Sequence, residues 1–202
     1  MTYPSDVAFT PTVKALQTAR GSRQGYAHME QGAGWRTTIT SDLAQFLAEV
    51  DSVYLATANS EGQPYIQHRG GPPGFLRVLD EGTLAFADFK GNRQYITTGN
   101  LADNARAFIF VMDYLHRRRI KIWGTARVVE ADAELLSRVF PMGYAARPEQ
   151  VILFTITAWD TNCPQHIPQK IPAALVAAAV ERFEARIAEL EAEVARLKAA
   201  TA

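Results

Sequence analysis

At 202 residues, 48% apolar and 21% charged, the chain is long enough for one sizeable core and an appendage. Its 21 basic and 21 acidic residues cancel, which argues against the basic excess by which nucleic-acid binders release phosphate counterions. One cysteine, Cys163, excludes an intrachain disulfide and fits a reducing compartment. Without a basic-then-apolar leader or a run near the ~20 apolar residues of a membrane span, a cytoplasmic location is expected, with no membrane partner.

Residues 1–40 carry scattered Gly, Thr and Ser and read as an irregular arm with one short helix over Thr12–Thr18. Ser41-Asp42 then offers a helix N-cap, with Leu43, Phe46, Leu47 and Val50 at helical spacing behind it. From Val53 the period changes to that of strands. VYLATAN, the turn Ser60-Glu61-Gly62 and PYIQHR read as a hairpin. GGPPG breaks the chain, FLRVL resumes it, and Asp80-Glu81-Gly82 turns it into TLAFADF. AFIFVMDY, RIKIWGTARVV and VILFTITAWD follow as longer strands, with a short helix over Asp132–Phe140. Five or six mostly antiparallel strands with marginal helices predict a mainly β, α+β domain over residues 41–171, a closed or partly closed barrel. Neither GxGxxG nor GxxxxGK[ST] occurs, so no Rossmann or P-loop device holds a nucleotide. From 172 to 202 the chain is Ala/Glu/Arg-rich without glycine, which predicts one long helix.

Four constellations could carry chemistry. Gln67-His68-Arg69 closes a strand before GGPPG, whose glycines let backbone N–H groups approach a ligand; an exposed strand end with a bulge would look the same. In the segment Asp88–Gln94, Lys90, Asn92 and Arg93 surround the flexible Gly91 in a turn that offers a phosphate monoester two cations and an amide, although KGNR on its own is more often a solvated turn. Trp159, Asn162, Cys163, Gln165 and His166 crowd the segment after the last strand. A catalytic thiol lacks a third orienting residue there, and one Cys with one nearby His is half a zinc ligand set. Arg117, Arg119 and Lys121 share one strand face, as an anion site or as a charged hairpin lip.

Taken in order, ATANSEGQPYIQHRGG, FADFKGNRQY, IKIWGTARVV and WDTNCPQHI resemble the pyridoxamine 5′-phosphate oxidase-like FMN-binding family over about Val53 to Ile167. The match is best to its flavin-nucleotide-binding branch without a settled substrate. The resemblance implies a six-stranded split β-barrel, a two-fold homodimer, and FMN in each of two clefts between subunits. Gln67, His68, Arg69, Lys90, Asn92 and Arg93 match the segments that hold the flavin phosphate and ribityl chain. Arg119, Lys121, Trp159, Asn162, Gln165 and His166 match those that reach the flavin from the partner. The implied activity is hydride transfer through flavin N5 between NAD(P)H or a small reduced compound and an acceptor. A non-catalytic flavin-binding module, or a barrel using the deazaflavin F420 or haem, is the alternative. CPQHIPQKIPAAL lacks the extra Arg and His set of true pyridoxamine-phosphate oxidases, so vitamin B6 chemistry is not assigned, nor is any catalytic residue or metal ligand.

In the last helix, Val176, Val180, Phe183, Ile187, Leu190, Val194 and Leu197 recur at spacings of four and three. With Val180, Ile187 and Val194 at a and Phe183, Leu190 and Leu197 at d, this is the heptad pattern of a parallel two-stranded coiled coil. A helix lying on its own barrel would carry the same stripe.

Overall fold

The computed structural model describes residues 3–161 and 164–201. Alternation builds its sheet. In β1 (Ser52–Ala58) every second residue is buried, and the same period runs through β5 (Arg106–Asp113) and the first half of β6 (Arg118–Glu130). Strands that bury one face and leave the other partly open are the antiparallel kind. With β2 (Pro64–Gly70), β3 (Arg77–Asp80), β4 (Thr83–Phe89) and β7 (Pro148–Thr161), they form one seven-stranded sheet in the order β2-β1-β5-β6-β7-β4-β3. The sheet curls without closing, as a split barrel, with β2 and β3 at its two edges. There are seven strands rather than six because Arg77–Asp80 pairs with β4 as a short edge strand, with a register shift between Val78 and Asp80.

The inner face encloses the main core: Val53 and Leu55 of β1, Leu84 and Phe86 of β4, Ile109 and Val111 of β5, Ile122 of β6, and Ile152 and Phe154 of β7. Helix α3 (Ser41–Ala48) plugs it with Leu43, Phe46 and Leu47. Its start is fixed by Thr40, one residue before the expected cap, whose hydroxyl accepts from the Leu43 N–H. A second core forms where Ala85, Ala87 and Val151 meet Val139, Leu135 and Leu136 of helix α5 (Ala133–Val139) on the opposite face of β4 and β7. This explains why β4 reads as an apolar run rather than an alternating one.

The first forty residues hold more structure than expected. After a 3-10 turn at Pro4–Val7 come α1 (Pro11–Ala19) and α2 (Arg23–Gln31). RQGYAHMEQ has no apolar stripe to announce a helix; polar contacts fix it instead. Glu30, buried at 7% exposure, pairs with Arg23 and accepts from the Ser5 hydroxyl at 2.9 Å.

The chain divides into two compact units, residues 3–113 with 119–161, and 114–118 with 164–201. In the second, the Lys170 N–H bonds the Tyr114 carbonyl at 3.2 Å, Gln169 donates to the Leu115 carbonyl at 2.8 Å, and Lys170 Nζ lies 4.0 Å from the Tyr114 ring centre. Helix α6 (Ala173–Ala200) follows. No helix among the described residues is long and apolar enough to cross a membrane.

Candidate functional site

Strand alternation sorts the first constellation. As the edge strand β2 runs out, Tyr65, Gln67 and Arg69 line a cleft of about 210 Å³, whereas Ile66 and His68 point to the other face. His68 there meets the Tyr54 ring edge-on at 5.8 Å. The far wall is the end of β4 with the turn that follows it, and the floor includes Glu149 and Gln150 at the start of β7. Antiparallel pairing of Asp88 with Gln150 brings those walls together across 62 residues of chain.

Helix α4 (Ile96–Asp103) begins inside this cleft. Its N-cap, Tyr95, is left-handed at φ 55° and provides no side-chain cap, so the first turn presents uncapped backbone amides beside the Thr97 and Thr98 hydroxyls. Arg93, also left-handed at φ 60°, donates through Nε to the Tyr95 hydroxyl at 3.1 Å, which in turn donates to Glu149 Oε1 at 2.7 Å. The bond to Tyr95, with Glu149 behind it, holds the Arg93 guanidinium more firmly protonated than usual.

A second chain of bonds supports the inner end. Arg69 Nη1 pairs with Asp88 Oδ1, and Gln150 Nε2 donates to Asp88 Oδ2 at 2.8 Å and to Thr98 Oγ1 at 2.9 Å. Thr97 Oγ1 donates to Gln67 Oε1 at 2.7 Å. Arg69 Nε remains buried without a partner. Such a donor in a cleft is unspent hydrogen-bonding capacity.

The predicted residues therefore separate. Gln67, Arg69, Asn92 and Arg93 share the cleft. Lys90 is exposed beside it, outside the lining residues. The GGPPG glycines do not cradle a ligand. The Gly71 and Gly74 amides are bonded to the Asp51 and Val50 carbonyls, both at 2.9 Å, and a Cβ on Gly74 (φ 76°) would stand 2.9 Å from the Ala48 carbonyl oxygen. That segment is a packed corner.

Lys121 and Trp159 stand outside the cleft, on opposite faces of the paired β6 and β7: Lys121 lies across from Asp160, and Trp159 lies across from Ile122 in the main core. Lys121 pairs with Asp160 at 2.9 Å and lies 5.1 and 5.4 Å from the ring centres of Trp35 and Trp123, which stack at 4.5 Å. Trp159 donates to the Thr38 carbonyl at 2.8 Å, with Arg36 over its ring. Arg119 keeps a buried Nε without a partner. Gln165 and His166 are exposed in the second unit, His166 at φ 61°; Asn162 and Cys163 lie outside the described residues. Among the described residues no group of His, Cys, Asp and Glu could hold a metal ion.

Sequence reasoning did not select Tyr65, Tyr95, Thr97, Thr98, Glu149 or Gln150. Tyr65 could have been found, because it shares the two-residue period of Gln67 and Arg69. The β4–β7 register that delivers Glu149 and Gln150 leaves no local signal.

Among solved structures, HupZ of Group A Streptococcus aligns with a TM-score of 0.51 at 18% identity, over 65% of this chain and 99% of that one. A single-site variant of that protein gives 0.50 at 20% identity, over 61% and 99%. An FMN-binding protein from Syntrophomonas wolfei subsp. wolfei gives 0.49 at 14% identity, over 74% and 97%. At these identities the likeness to the two HupZ structures is one of fold alone. No curated protein matches the chain in sequence. The sequence model of pyridoxamine 5′-phosphate oxidase matches residues 39–163, a span that contains the whole barrel and both walls of the cleft, and the chain belongs to that family.

Proposed function

We propose that the chain binds FMN, with the flavin phosphate between Arg69, Arg93 and the first turn of α4, and acts as an oxidoreductase. One observation carries the reading: an uncapped helix N-terminus and two arginines open on the same cleft. Free amides at a helix start carry partial positive charge and favour a phosphate, and a guanidinium adds charge-assisted bonds in a fork. The residues fit the group. Arg69 has a buried donor to give, and Gln67, Asn92, Thr97 and Thr98 offer the mixed donors and acceptors that a polyol chain needs.

A cleft of about 210 Å³ is smaller than the roughly 300–1,000 Å³ of a complete small-molecule site. This supports a homodimer in which a second copy completes the site, bringing Arg119 and Lys121 to the flavin ring. When bound, FMN supplies hydride transfer at its N5 between NAD(P)H or a small reduced compound and an acceptor. The chain's own residues bind, orient and shield it.

The test is the absorbance of freshly purified protein, followed by FMN titration. Maxima at about 450 and about 370 nm, with FMN released on denaturation, are expected. A Soret band, or a single band at about 420 nm, replaces FMN by haem or F420. Protein that stays colourless and ignores added FMN overturns the reading. Bound FMN that no reduced nicotinamide or small thiol reduces leaves the binding and removes the catalysis.

A further inference from the structure

The function proposed above leaves α6 unexplained. The helix runs 28 residues without one buried side chain, a length of about 42 Å. Along it Val176, Val180, Phe183, Ile187, Leu190, Val194 and Leu197 stand 45–69% exposed. Ile187, Leu190, Glu191, Val194, Ala195 and Lys198 outline one open apolar groove. Single exposed apolar residues need no explanation, but a continuous stripe marks an interaction surface.

From these observations we infer that α6 pairs with α6 of a second copy of this chain as a parallel, in-register, two-stranded coiled coil. The seam repeats every seven residues, with Val180, Ile187 and Val194 at a and Phe183, Leu190 and Leu197 at d, and no charged residue occupies either position between Val176 and Leu197. β-Branched residues at a with leucine at d select two parallel strands.

Charge fixes the direction. In parallel register, Arg186 at g faces Glu191 at e of the other copy, and Glu193 at g faces Lys198 at e. Each pair occurs twice and is opposite in sign. With the strands antiparallel about Ile187 and Leu190, Arg186 still meets Glu193, but Glu184 then meets Glu191 and repels it. Within one helix Arg186 bonds Glu189 at 2.8 Å, a pair about two-thirds exposed at both ends. Such pairs are worth little and exchange readily. A second copy is thus complementary in both shape and sign, whereas an unrelated apolar partner would use the groove and ignore the e and g charges.

The experiment uses the full chain in a Cys163→Ser background, with a single cysteine placed at Val176→Cys, Leu197→Cys or Ala188→Cys. Positions 176 and 197 are d positions near opposite ends of the helix, and 188 is an outer b position. The two d variants should each form a disulfide-linked dimer under mild oxidation at least about tenfold faster than the b variant. An antiparallel pair would link a mixture of the two d variants and neither alone. Equal linking of all three, or none, means that no seam exists. Either result overturns the inference. Flavin content is read on the same samples and is independent of the link, so failure of the FMN reading leaves this result standing.

Discussion

Arg69 and Asp88 form an ion pair across the cleft, and both are largely withdrawn from water, their side chains 14% and 10% exposed. Asp88 is held from its other side by Gln150, so the carboxylate is fully engaged while the guanidinium keeps one buried Nε–H unspent. The pair therefore places the arginine for an anion and, in the same contact, offsets the charge that would attract it.

That balance gives a prediction with two opposed halves. Asp88→Asn removes one partner of a buried pair, which costs roughly 3 kcal/mol, or several degrees of Tm in a unit this size. The same change unmasks Arg69, so FMN should stabilise the variant more than it stabilises the wild type. Thermal melts with and without FMN measure both. A variant that loses stability but gains no larger shift from FMN places Arg69 outside the phosphate site.

Arg93 and Lys90 should separate in the same assay. Arg93 lines the cleft and is braced by Tyr95 and Glu149, whereas Lys90 stands outside it. Loss of a charge-assisted bond costs ~1.5–3 kcal/mol, so Arg93→Ala should weaken FMN binding about ten- to a hundredfold, and Lys90→Ala by much less. Riboflavin, which lacks the phosphate, should bind poorly and be indifferent to both changes. Equal losses in the two variants would return Lys90 to the site.

The barrel was legible because its signals are local. Strand period, turn residues and the helix start near Ser41 lie within a few residues of what they specify. The cleft was half legible for the same reason: Gln67, Arg69, Asn92 and Arg93 belong to two short motifs, but Gln150 reaches Asp88 only through the β4–β7 register. His68 shared the motif with Arg69 yet sits one residue out of phase on an alternating strand. The helix α2 was invisible because Arg23, Glu30 and Ser5 hold it through polar contacts that leave no periodicity.

Acid should loosen the contacts that hold the N-terminal arm. The Lys14 ammonium, and then the Tyr3 backbone N–H, hold the Asp6 carboxyl below its ordinary value of 3.8. A depressed carboxyl contributes stability that is present above the unfolded value and lost as the pH falls through the folded one. Hydrogen exchange near Tyr3 and α1 should therefore be pH-independent in this respect above 3.8 and accelerate below it. Asp6→Asn should abolish that step. An unchanged profile in the variant assigns the acid transition to another group.

Gly124 gives the last prediction, about what holds the two central strands together. It sits on β6 at the register shift between Trp123 and Gly124, opposite β7. A Cβ there would fall 2.1 Å from the Thr155 carbonyl oxygen and 2.5 Å from Phe154 Cε1. The first is backbone and the second a fully buried ring, so neither can step aside cheaply. Gly124→Ala should destabilise the barrel by roughly 3 kcal/mol, at the upper end of overpacking costs. Gly99→Ala is the control. Its Cβ meets nothing within 4 Å in the interior of α4, where alanine is favoured over glycine by about 0.5–1 kcal/mol. Urea unfolding should thus move the two midpoints in opposite directions. A Gly124→Ala protein as stable as wild type would mean that β6 and β7 can separate at this point without loss, and that the register shift there is not a fixed feature of the sheet.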